Sequence, residues 1–306
     1  MNRLDLSMAL PTPCQKLPDE DLFGVPLWIK RDDLVHPIVS GNKYRKLKYP
    51  LTAIAKQALQ SERKPTVITM GGIWSNHVHA TAFAAAELGL QSRALIRGHV
   101  GMGSTMLDDC VAHGMQIQFV DRVRYRHLRA QENYWRTLIE DDRNHFWLPE
   151  GGSTPEALLG VAELIDELPF IPDVMAVACG TGATLAGLLA GLNGRSMVMG
   201  IAVLDNADSL RAEVSTLLIK AGFPDHQNYQ LLTEFQHGGY AKVTPALRDF
   251  CDDFMDRYQT PIEPVYTGKL FFALHHLSQS GLIGRDKTVM ALHTGGMQGA
   301  RSNLLR

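Results

Sequence analysis

Short apolar segments that alternate with helix-forming segments constrain the fold of this chain more than any other feature. Segments such as PTVITM (65–70), QIQFV (116–120) and DVMAVA (173–178) are short, apolar and rich in residues that favour strands. Segments with helical spacing separate them, and glycines stand at many of the joints. Because strands that alternate with helices form parallel sheets covered by helices, the sequence predicts the α/β class.

Glycines and polar stretches predict several element boundaries. An alanine-rich helix ends at Gly89, and a polar helix runs from about residue 124 to 139. Two Gly-Gly joints, Gly71–Gly72 and Gly151–Gly152, predict loops at which a smaller substrate domain meets the rest of the chain.

The charge and cysteine content exclude several classes of protein. In 306 residues, 30 basic side chains stand against 32 acidic ones, and a net charge of -2 argues against a nucleic-acid partner. No apolar run reaches the roughly 18 residues of a membrane span, and the start lacks the apolar core of a signal peptide, so we expect a cytoplasmic protein. No histidine pair has metal-ligand spacing, and the separated cysteines argue against disulfides and zinc, so we predict no metal site. The cysteines are Cys14, Cys110, Cys179 and Cys251.

Lys43 stands out by its position on a helix. Apolar residues recur at helical spacing from residue 44 to 58, so a helix begins near Asn42 or Lys43. The positive end of the helix dipole disfavours a cation in the first turn, and a lysine there has a lowered pKa, as an amine that attacks carbonyl groups requires. The other interpretation is a solvated surface lysine, which is what we predict for Lys46 and Lys48.

Two further loops have the features of anion sites. Ser75 is the predicted N-cap of the alanine-rich helix, and it and Asn76 could hold a substrate carboxylate or simply cap the helix. The segment CGTGATLAG follows a strand and opens a helix, but Leu185 occupies the third glycine position of the dinucleotide pattern. The hydroxyls of Thr181 and Thr184 with helix-terminal amides suit one phosphate monoester, or the loop is a packing turn without a ligand.

At this point the sequence resembles a known family. Its motifs occur in the order seen in the D-cysteine desulfhydrase and 1-aminocyclopropane-1-carboxylate (ACC) deaminase family, which are pyridoxal-phosphate enzymes of the tryptophan synthase β-like fold. The resemblance extends from about Pro11 to Gly299. It is carried by KRDDLVHPIVSGNKYRKLKY, GGIWSNHVHATAFAAAELGL, LPEGGSTPEALLG, CGTGATLAG, PVYTGK and HTGG.

The resemblance implies a set of cofactor-binding residues. Lys43 is similar to the lysine that bonds covalently to pyridoxal phosphate, and Asn76 to the ligand of the cofactor's 3-hydroxyl. Thr294 is similar to the hydroxyl that meets the pyridine nitrogen. The residues similar to the phosphate-binding loop are Gly180, Thr181, Gly182, Ala183 and Thr184.

The resemblance also implies catalytic residues and an architecture. Ser75 is similar to a residue beside the substrate carboxylate, and Tyr240 and Tyr266 to two tyrosines that flank the substrate, with Lys43 as the fourth catalytic residue. Two α/β domains are implied, with the cofactor in the cleft between them. Residues 1–45 and 152–306 would form the large cofactor domain and residues 46–151 the smaller inserted one, in a protein expected to be a homodimer.

The implied activity is elimination and deamination of a small amino acid, as in D-cysteine desulfhydrase, which converts D-cysteine to pyruvate, sulfide and ammonia. ACC deaminase, which converts ACC to α-ketobutyrate and ammonia, is the second hypothesis, and a non-catalytic carrier or regulator that binds pyridoxal phosphate is the third. Four residues depart from the family pattern. They are Trp74 for glutamine, His79 for arginine, Ala183 for glycine and Thr267 for the glutamate of the ring-opening deaminases.

Overall fold

Strands and helices alternate along most of the chain, as the sequence predicts. The computed structural model describes residues 9–18, 20–58, 64–139, 144–204 and 207–301. The strands are Cys14–Lys16 (β1), Leu27–Lys30 (β2), Thr66–Gly71 (β3), Gln91–Arg97 (β4), Gln116–Val120 (β5), His145–Leu148 (β6), Val174–Cys179 (β7), Met197–Ala202 (β8), Tyr229–Leu232 (β9) and Val289–Leu292 (β10). The α-helices are Glu20–Phe23 (α1), Asn42–Ala58 (α2), Asn76–Glu87 (α3), Thr105–Ala112 (α4), Arg122–Ala130 (α5), Pro155–Ala162 (α6), Ala183–Leu192 (α7), Ala207–Lys220 (α8), Pro245–Tyr258 (α9) and Thr267–Gln279 (α10).

The described strands form two sheets. The larger has six strands in the order β1-β2-β10-β7-β8-β9, and all its pairs are parallel except β1 with β2. The smaller has four parallel strands in the order β5-β4-β3-β6. The strands β7 and β10 are buried along their whole length, as expected for parallel strands covered on both faces.

The strands of the two sheets come from different parts of the chain. Every strand of the smaller sheet lies between residues 66 and 148, and those of the larger sheet come before and after this range. Helix α2 continues through the predicted boundary between residues 45 and 46. The domain boundaries themselves stay a prediction.

Glycines allow helices α2, α6 and α7 to pack closely beside the larger sheet. A Cβ atom on Gly160 of α6 would lie 2.0 Å from the carbonyl oxygen of Arg45 in α2. A Cβ atom on Gly187 of α7 would lie 2.4 Å from Cβ of Val161. Because glycine has no side chain, the three helices approach each other closely at these positions. The start of α2 therefore lies next to the larger sheet.

A buried ionic network fixes the same helix. The Arg45 guanidinium donates to both oxygens of Asp32 and both oxygens of Glu167, at 2.5–3.1 Å. Lys30 Nζ donates to Glu167 Oε2 at 2.7 Å. Because paired charges tolerate burial far better than isolated ones, this network holds α2 to the edge of the larger sheet.

The prediction of a continuous helix from residue 124 to 139 is wrong. Helix α5 ends at Ala130, Gln131 is extended, and a short 3-10 turn follows at Tyr134–Leu138. The break lets Trp135 stack on Trp147 of β6, with ring centroids 6.0 Å apart. Burial of this aromatic pair against the smaller sheet overrides the helical periodicity of the segment. No described helix has the length and hydropathy that a membrane span requires.

Candidate active site

A cavity of about 540 Å³ lies where the carboxyl ends of strands from both sheets meet. Its walls include residues 72–76 after β3, residues 180–182 after β7 and residues 294–296 after β10. Ligands of α/β proteins bind at such edges, because the loops and helix N-termini that follow the strands converge there. The start of α2, with Asn42 and Lys43, closes the cavity.

Lys43 is the second residue of α2 and lines the cavity, so the predicted helix start is confirmed. Its Nζ atom donates to Asn42 Oδ1 at 2.9 Å. Burial lowers the pKa of Lys43 to about 8, and the Glu263 carboxylate opposes part of this shift. A lowered pKa was expected from the helix dipole, whereas desolvation is its main cause here.

Gly41 and Thr294 bring the start of α2 to the loop after β10. A Cβ atom on Gly41, whose φ is +58°, would lie 1.9 Å from the carbonyl oxygen of Thr294. The N–H of Asn42 donates to that same oxygen at 3.2 Å. Since only glycine fits this contact, Gly41 places Lys43 and Thr294 in one cavity.

The prediction that Lys46 lies on the surface is wrong. Lys46 is 2% exposed and lines the cavity one helical turn after Lys43. Burial and the neighbouring Lys43 charge lower its pKa well below the usual value. The i, i+3 spacing that places both lysines on one helix face was the available signal. Lys48 is partly exposed and pairs with Glu163 at 2.5 Å.

Ser75 and Asn76 lie at the junction of β3 and α3. Ser75 is the N-cap of α3, as predicted, and its hydroxyl accepts a hydrogen bond from Val78 N at 3.3 Å. Asn76 Oδ1 accepts from Gln298 N at 3.0 Å. The oxygen is thus engaged, and the NH₂ group of Asn76 is its donor for a ligand in the cavity.

The loop at residues 180–184 opens α7. Gly182 is the N-cap residue, with a φ of +82°. Thr181 Oγ accepts from Ser153 Oγ at 2.6 Å, and Thr184 Oγ accepts from Asn42 Nδ2 at 2.9 Å. Each threonine therefore keeps its own hydroxyl hydrogen for an anion, beside the unpaired amides that begin a helix. Ala183 is fully buried and is not among the described cavity-lining residues.

Tyr240 and Tyr266 lie together on one wall of the cavity. Their ring centroids are 6.0 Å apart, with an interplanar angle of 72°. Tyr266 also lies against the 180–184 loop, since a Cβ atom on Gly180 would be 3.3 Å from its ring. Burial raises the pKa of both phenols, so both are protonated at neutral pH.

The other three departures from the family pattern lie in different surroundings. Trp74 lines the cavity, whereas His79 lies outside it and contacts Asp109 at 3.3 Å. Thr267 is fully buried, and its hydroxyl accepts from Glu263 N at 2.9 Å. The side chain at position 267 therefore faces the main chain of Glu263, and it is not among the described residues lining the cavity.

His77 lines the cavity, although the sequence analysis assigned it no role in a site. The Thr69 hydroxyl donates to Leu148 O at 2.8 Å, so His77 Nε2, also 2.8 Å from that hydroxyl, must be the donor. The Nδ1 atom of His77 is then an unprotonated acceptor, and it has no partner among the described residues. Burial and the charges of Lys46 and Lys43 lower the pKa of His77 well below its usual value.

Four further residues line the cavity, and the sequence analysis indicated none of them. They are Arg97, Tyr125, Arg129 and Glu150. Glu150 accepts from Tyr125 and from Arg129, both at 2.5 Å. Arg97 lies over the Tyr125 ring, 5.6 Å from its centroid. Arg97 is the last residue of β4, and its place at the carboxyl end of a strand was a signal for a ligand-facing side chain.

The chain is similar to known proteins over most of its length. The family model described as "Pyridoxal-phosphate dependent enzyme" matches residues 7–295. A Pyrococcus horikoshii protein named "Putative 1-aminocyclopropane-1-carboxylate deaminase" is 31% identical over 302 residues, which cover 94% of this chain and 90% of that protein. The "D-cysteine desulfhydrase" of Salmonella schwarzengrund is 28% identical over 317 residues, which cover 96% and 94%.

Similarity extends to a solved structure. The crystal structure of an ACC deaminase homologue matches with a TM-score of 0.84 and 30% identity, over 97% of this chain and 93% of that one. The family match and the fold thus place the chain among the pyridoxal-phosphate-dependent enzymes of the tryptophan synthase β-like fold. The chain belongs to the pyridoxal-phosphate-dependent family whose relatives include ACC deaminases and D-cysteine desulfhydrases.

The residues of the cavity fit the cofactor of this family. An amine of lowered pKa, Lys43, suits covalent attachment to an aldehyde. The hydroxyls of Thr181 and Thr184 at a helix N-terminus suit the phosphate, and the Asn76 NH₂ group suits the ring oxygen. Gly180 leaves the space beside Tyr266 that a side chain would fill.

Proposed function

We propose that the protein eliminates a β-substituent from a small amino acid and releases a keto acid and ammonia. D-cysteine is the substrate that we expect it to prefer. One observation carries this choice: among the described residues that line the cavity, Glu150 is the sole carboxylate. It is bound by Tyr125 and Arg129, so it is a poor base for opening a ring. Elimination needs little beyond an amine that removes the α-proton.

Binding is assigned to residues that surround the cavity. Pyridoxal phosphate, when bound, supplies an electron sink. Thr181 and Thr184 would hold its phosphate, Asn76 its ring oxygen, and Thr294 its ring nitrogen through a neutral hydrogen bond. Ser75 at the N-terminus of α3 would orient the substrate carboxylate.

Proton transfer is assigned to Lys43 and the two tyrosines. With a pKa of about 8, the Lys43 amine is about a quarter neutral at pH 7.5, against about 0.1% for a lysine at its ordinary pKa of 10.5. It is therefore suited to accept the α-proton. The phenols of Tyr240 and Tyr266 stay protonated, which suits them to donate hydrogen bonds to the departing group.

ACC deaminase is the second candidate, and the names of several relatives favour it. ACC has no α-hydrogen, so Ser75, Lys43 and Tyr266 would have to open the ring together. A non-catalytic carrier of the cofactor is the third. The cytoplasmic location and the homodimer stay predictions.

The deciding experiment compares kcat/KM for D-cysteine, L-cysteine and ACC on one preparation of the holoenzyme. We expect pyruvate from D-cysteine to form faster than α-ketobutyrate from ACC. A higher kcat/KM for ACC would overturn this order. If only another amino acid is turned over, the proposed reaction class stands and D-cysteine is rejected as the substrate. Bound cofactor without turnover of any amino acid would support the non-catalytic carrier.

A further inference from the structure

Lys269 and Glu263 are buried charged residues that have no role in the function proposed above. Lys269 is fully buried and Glu263 is 1% exposed, and neither is among the described residues that line the cavity. We propose that Lys269, with Glu263, is a positioning residue that holds the loop of Tyr240 against the helix of Tyr266 and so sets how the two phenols face the substrate. This inference rests on the proposed role of the two tyrosines.

Lys269 holds the Tyr240 loop directly. Its Nζ atom donates to the carbonyl oxygens of Gln236 at 2.8 Å and Gly239 at 2.9 Å. Residues 237–239 and Ala241 all have positive φ, including the non-glycine residues His237 and Ala241. A backbone in this conformation needs support from outside, and two bonds from a buried ammonium to main-chain oxygens supply it.

Glu263 holds Tyr266 from the other side. Its Oε1 atom accepts from the N–H groups of Tyr266 at 2.7 Å and Thr267 at 3.0 Å, and its Oε2 accepts from Val265 N at 2.8 Å. The carboxylate therefore caps the N-terminus of α10, which begins at Thr267, one residue after Tyr266. In turn, the Thr267 hydroxyl accepts a hydrogen bond from the Glu263 N–H.

The charges of Lys269 and Glu263 also influence each other's pKa. Burial lowers the pKa of Lys269 to about 8, and the charge of Glu263 opposes part of this shift. Burial raises the pKa of Glu263 to about 7, and three main-chain N–H donors and the charge of Lys269 oppose part of this rise. Lys269 thus bonds to the main chain at residues 236 and 239, directly before Tyr240, and Glu263 bonds to the main chain at residues 265–267, which include Tyr266.

Lys269→Met keeps most of the buried side-chain volume, and Glu263 keeps its three main-chain N–H donors. We therefore expect a folded protein in which the Tyr240 loop is released. We expect kcat for the best substrate to fall by about tenfold or more with a much smaller change in KM, since a displaced group costs mainly transition-state stabilisation.

The decisive readout is the dependence of this loss on Tyr240. If Lys269 acts through that phenol, Lys269→Met in a Tyr240→Phe background should lower kcat by less than about twofold further, because coupled residues are not additive. An equal loss in both backgrounds would show a general structural effect and overturn the proposal.

Gly239→Ala tests the same loop if Lys269→Met does not fold. A Cβ atom at Gly239 meets nothing within 4 Å, so the substitution acts through its φ of +115° alone. Gly222→Ala is the matched control, since Gly222 has a φ of +76° and equally open surroundings in the turn after α8. We expect Gly239→Ala to lower kcat and Gly222→Ala to leave it unchanged. Equal effects would overturn the proposal.

Hydrogen exchange separates this proposal from the proposed function, because it does not depend on turnover. Lys269→Met should speed exchange at the N–H groups of Gly239 and Lys242, which bond within the loop, by about tenfold or more. Unchanged exchange would overturn the inference even in an active enzyme. Faster exchange in a protein that turns over no amino acid would keep the loop contact and reject the function.

Discussion

Asn42 Nδ2 lies 2.9 Å from Thr184 Oγ and donates a hydrogen bond to it. This bond joins the residue before Lys43 to the loop predicted to bind phosphate, across 142 positions of the chain. Because Asn42 also accepts from Lys43 Nζ through Oδ1, one amide orients both the amine and the threonine hydroxyl. A single side chain thus orients two groups that we propose hold opposite ends of the cofactor.

Replacement of both Thr181 and Thr184 by alanine should weaken cofactor binding. Each hydroxyl would lose a hydrogen bond to a charged phosphate, worth about 1.5–3 kcal/mol, so we expect at least a tenfold rise in the Kd of pyridoxal phosphate. Titration of the cofactor absorbance measures it. Thr137→Ala, at an exposed position in a 3-10 turn, is the control. Unchanged affinity in the folded double variant would show that the loop is only a packing turn.

Borohydride reduction should attach the cofactor to Lys43 and not to Lys46. Both amines line the cavity, and both have a lowered pKa, so the chemistry of the amines alone does not separate them. Peptide mapping by mass spectrometry identifies the labelled lysine. We expect no label in Lys43→Ala and a full label in Lys46→Ala. A label on Lys46 in the unaltered protein would reject the assignment.

The rate at which the apoprotein binds the cofactor covalently should rise with pH through about 8 and then level off. The attacking species is the neutral amine, and burial lowers the pKa of Lys43 from 10.5 to about 8, so its neutral fraction saturates earlier. Stopped-flow absorbance measures the rate. Nα-acetyl-lysine is the reference, and its rate should keep rising towards pH 10. A protein profile that matches this reference would contradict the effect of burial.

His77 should be the Nε2–H tautomer and stay neutral well below pH 6.5. The Thr69 hydroxyl uses its one hydrogen on Leu148 O, which requires a donor at Nε2. Burial and two nearby lysines lower the pKa of the ring. Nitrogen-15 NMR distinguishes the tautomers and follows protonation, with Nα-acetyl-histidine as the reference. Protonation of His77 over the same pH range as this reference would contradict this environment.

Arg45→Ala should lower the free energy of unfolding by about 3–5 kcal/mol, because it leaves the buried carboxylate of Asp32 and the partly buried carboxylate of Glu167 without their main partner. Lys48→Ala on the same helix removes a partly exposed pair with Glu163 and should cost at most about 1 kcal/mol. Urea unfolding monitored by circular dichroism measures both. Similar losses for the two variants would show that burial of the Arg45 network contributes little.

Features that depend on neighbouring residues were predictable from the sequence. The strand at residues 116–120 and the start of α2 at Asn42 agree with the prediction, and Ser75 caps α3 as expected. Periodicity, capping and glycine positions act over a few residues, so a single sequence contains them. The alternation of these elements also predicted the α/β class, and the ordered motifs predicted the family.

The burial of charged side chains was not predictable in this way. Lys46 was expected on the surface, and nothing in the sequence indicated that Lys269 would bond to main-chain oxygens 30 and 33 residues away. The break after Ala130 likewise depends on the stacking of Trp135 on a strand that follows later in the chain. Contacts of this kind follow from how the two sheets and their helices pack.

The sequence by itself thus determined the order of most strands and helices, the fold class and the motif residues that line the cavity. Only the tertiary structure decided which polar groups share the cavity and which are withdrawn from it, as Lys46 and Thr267 illustrate. The physical reason is that a side chain's desolvation and its charged neighbours depend on distant segments. Those two quantities set the pKa values and hydrogen bonds on which the chemistry depends.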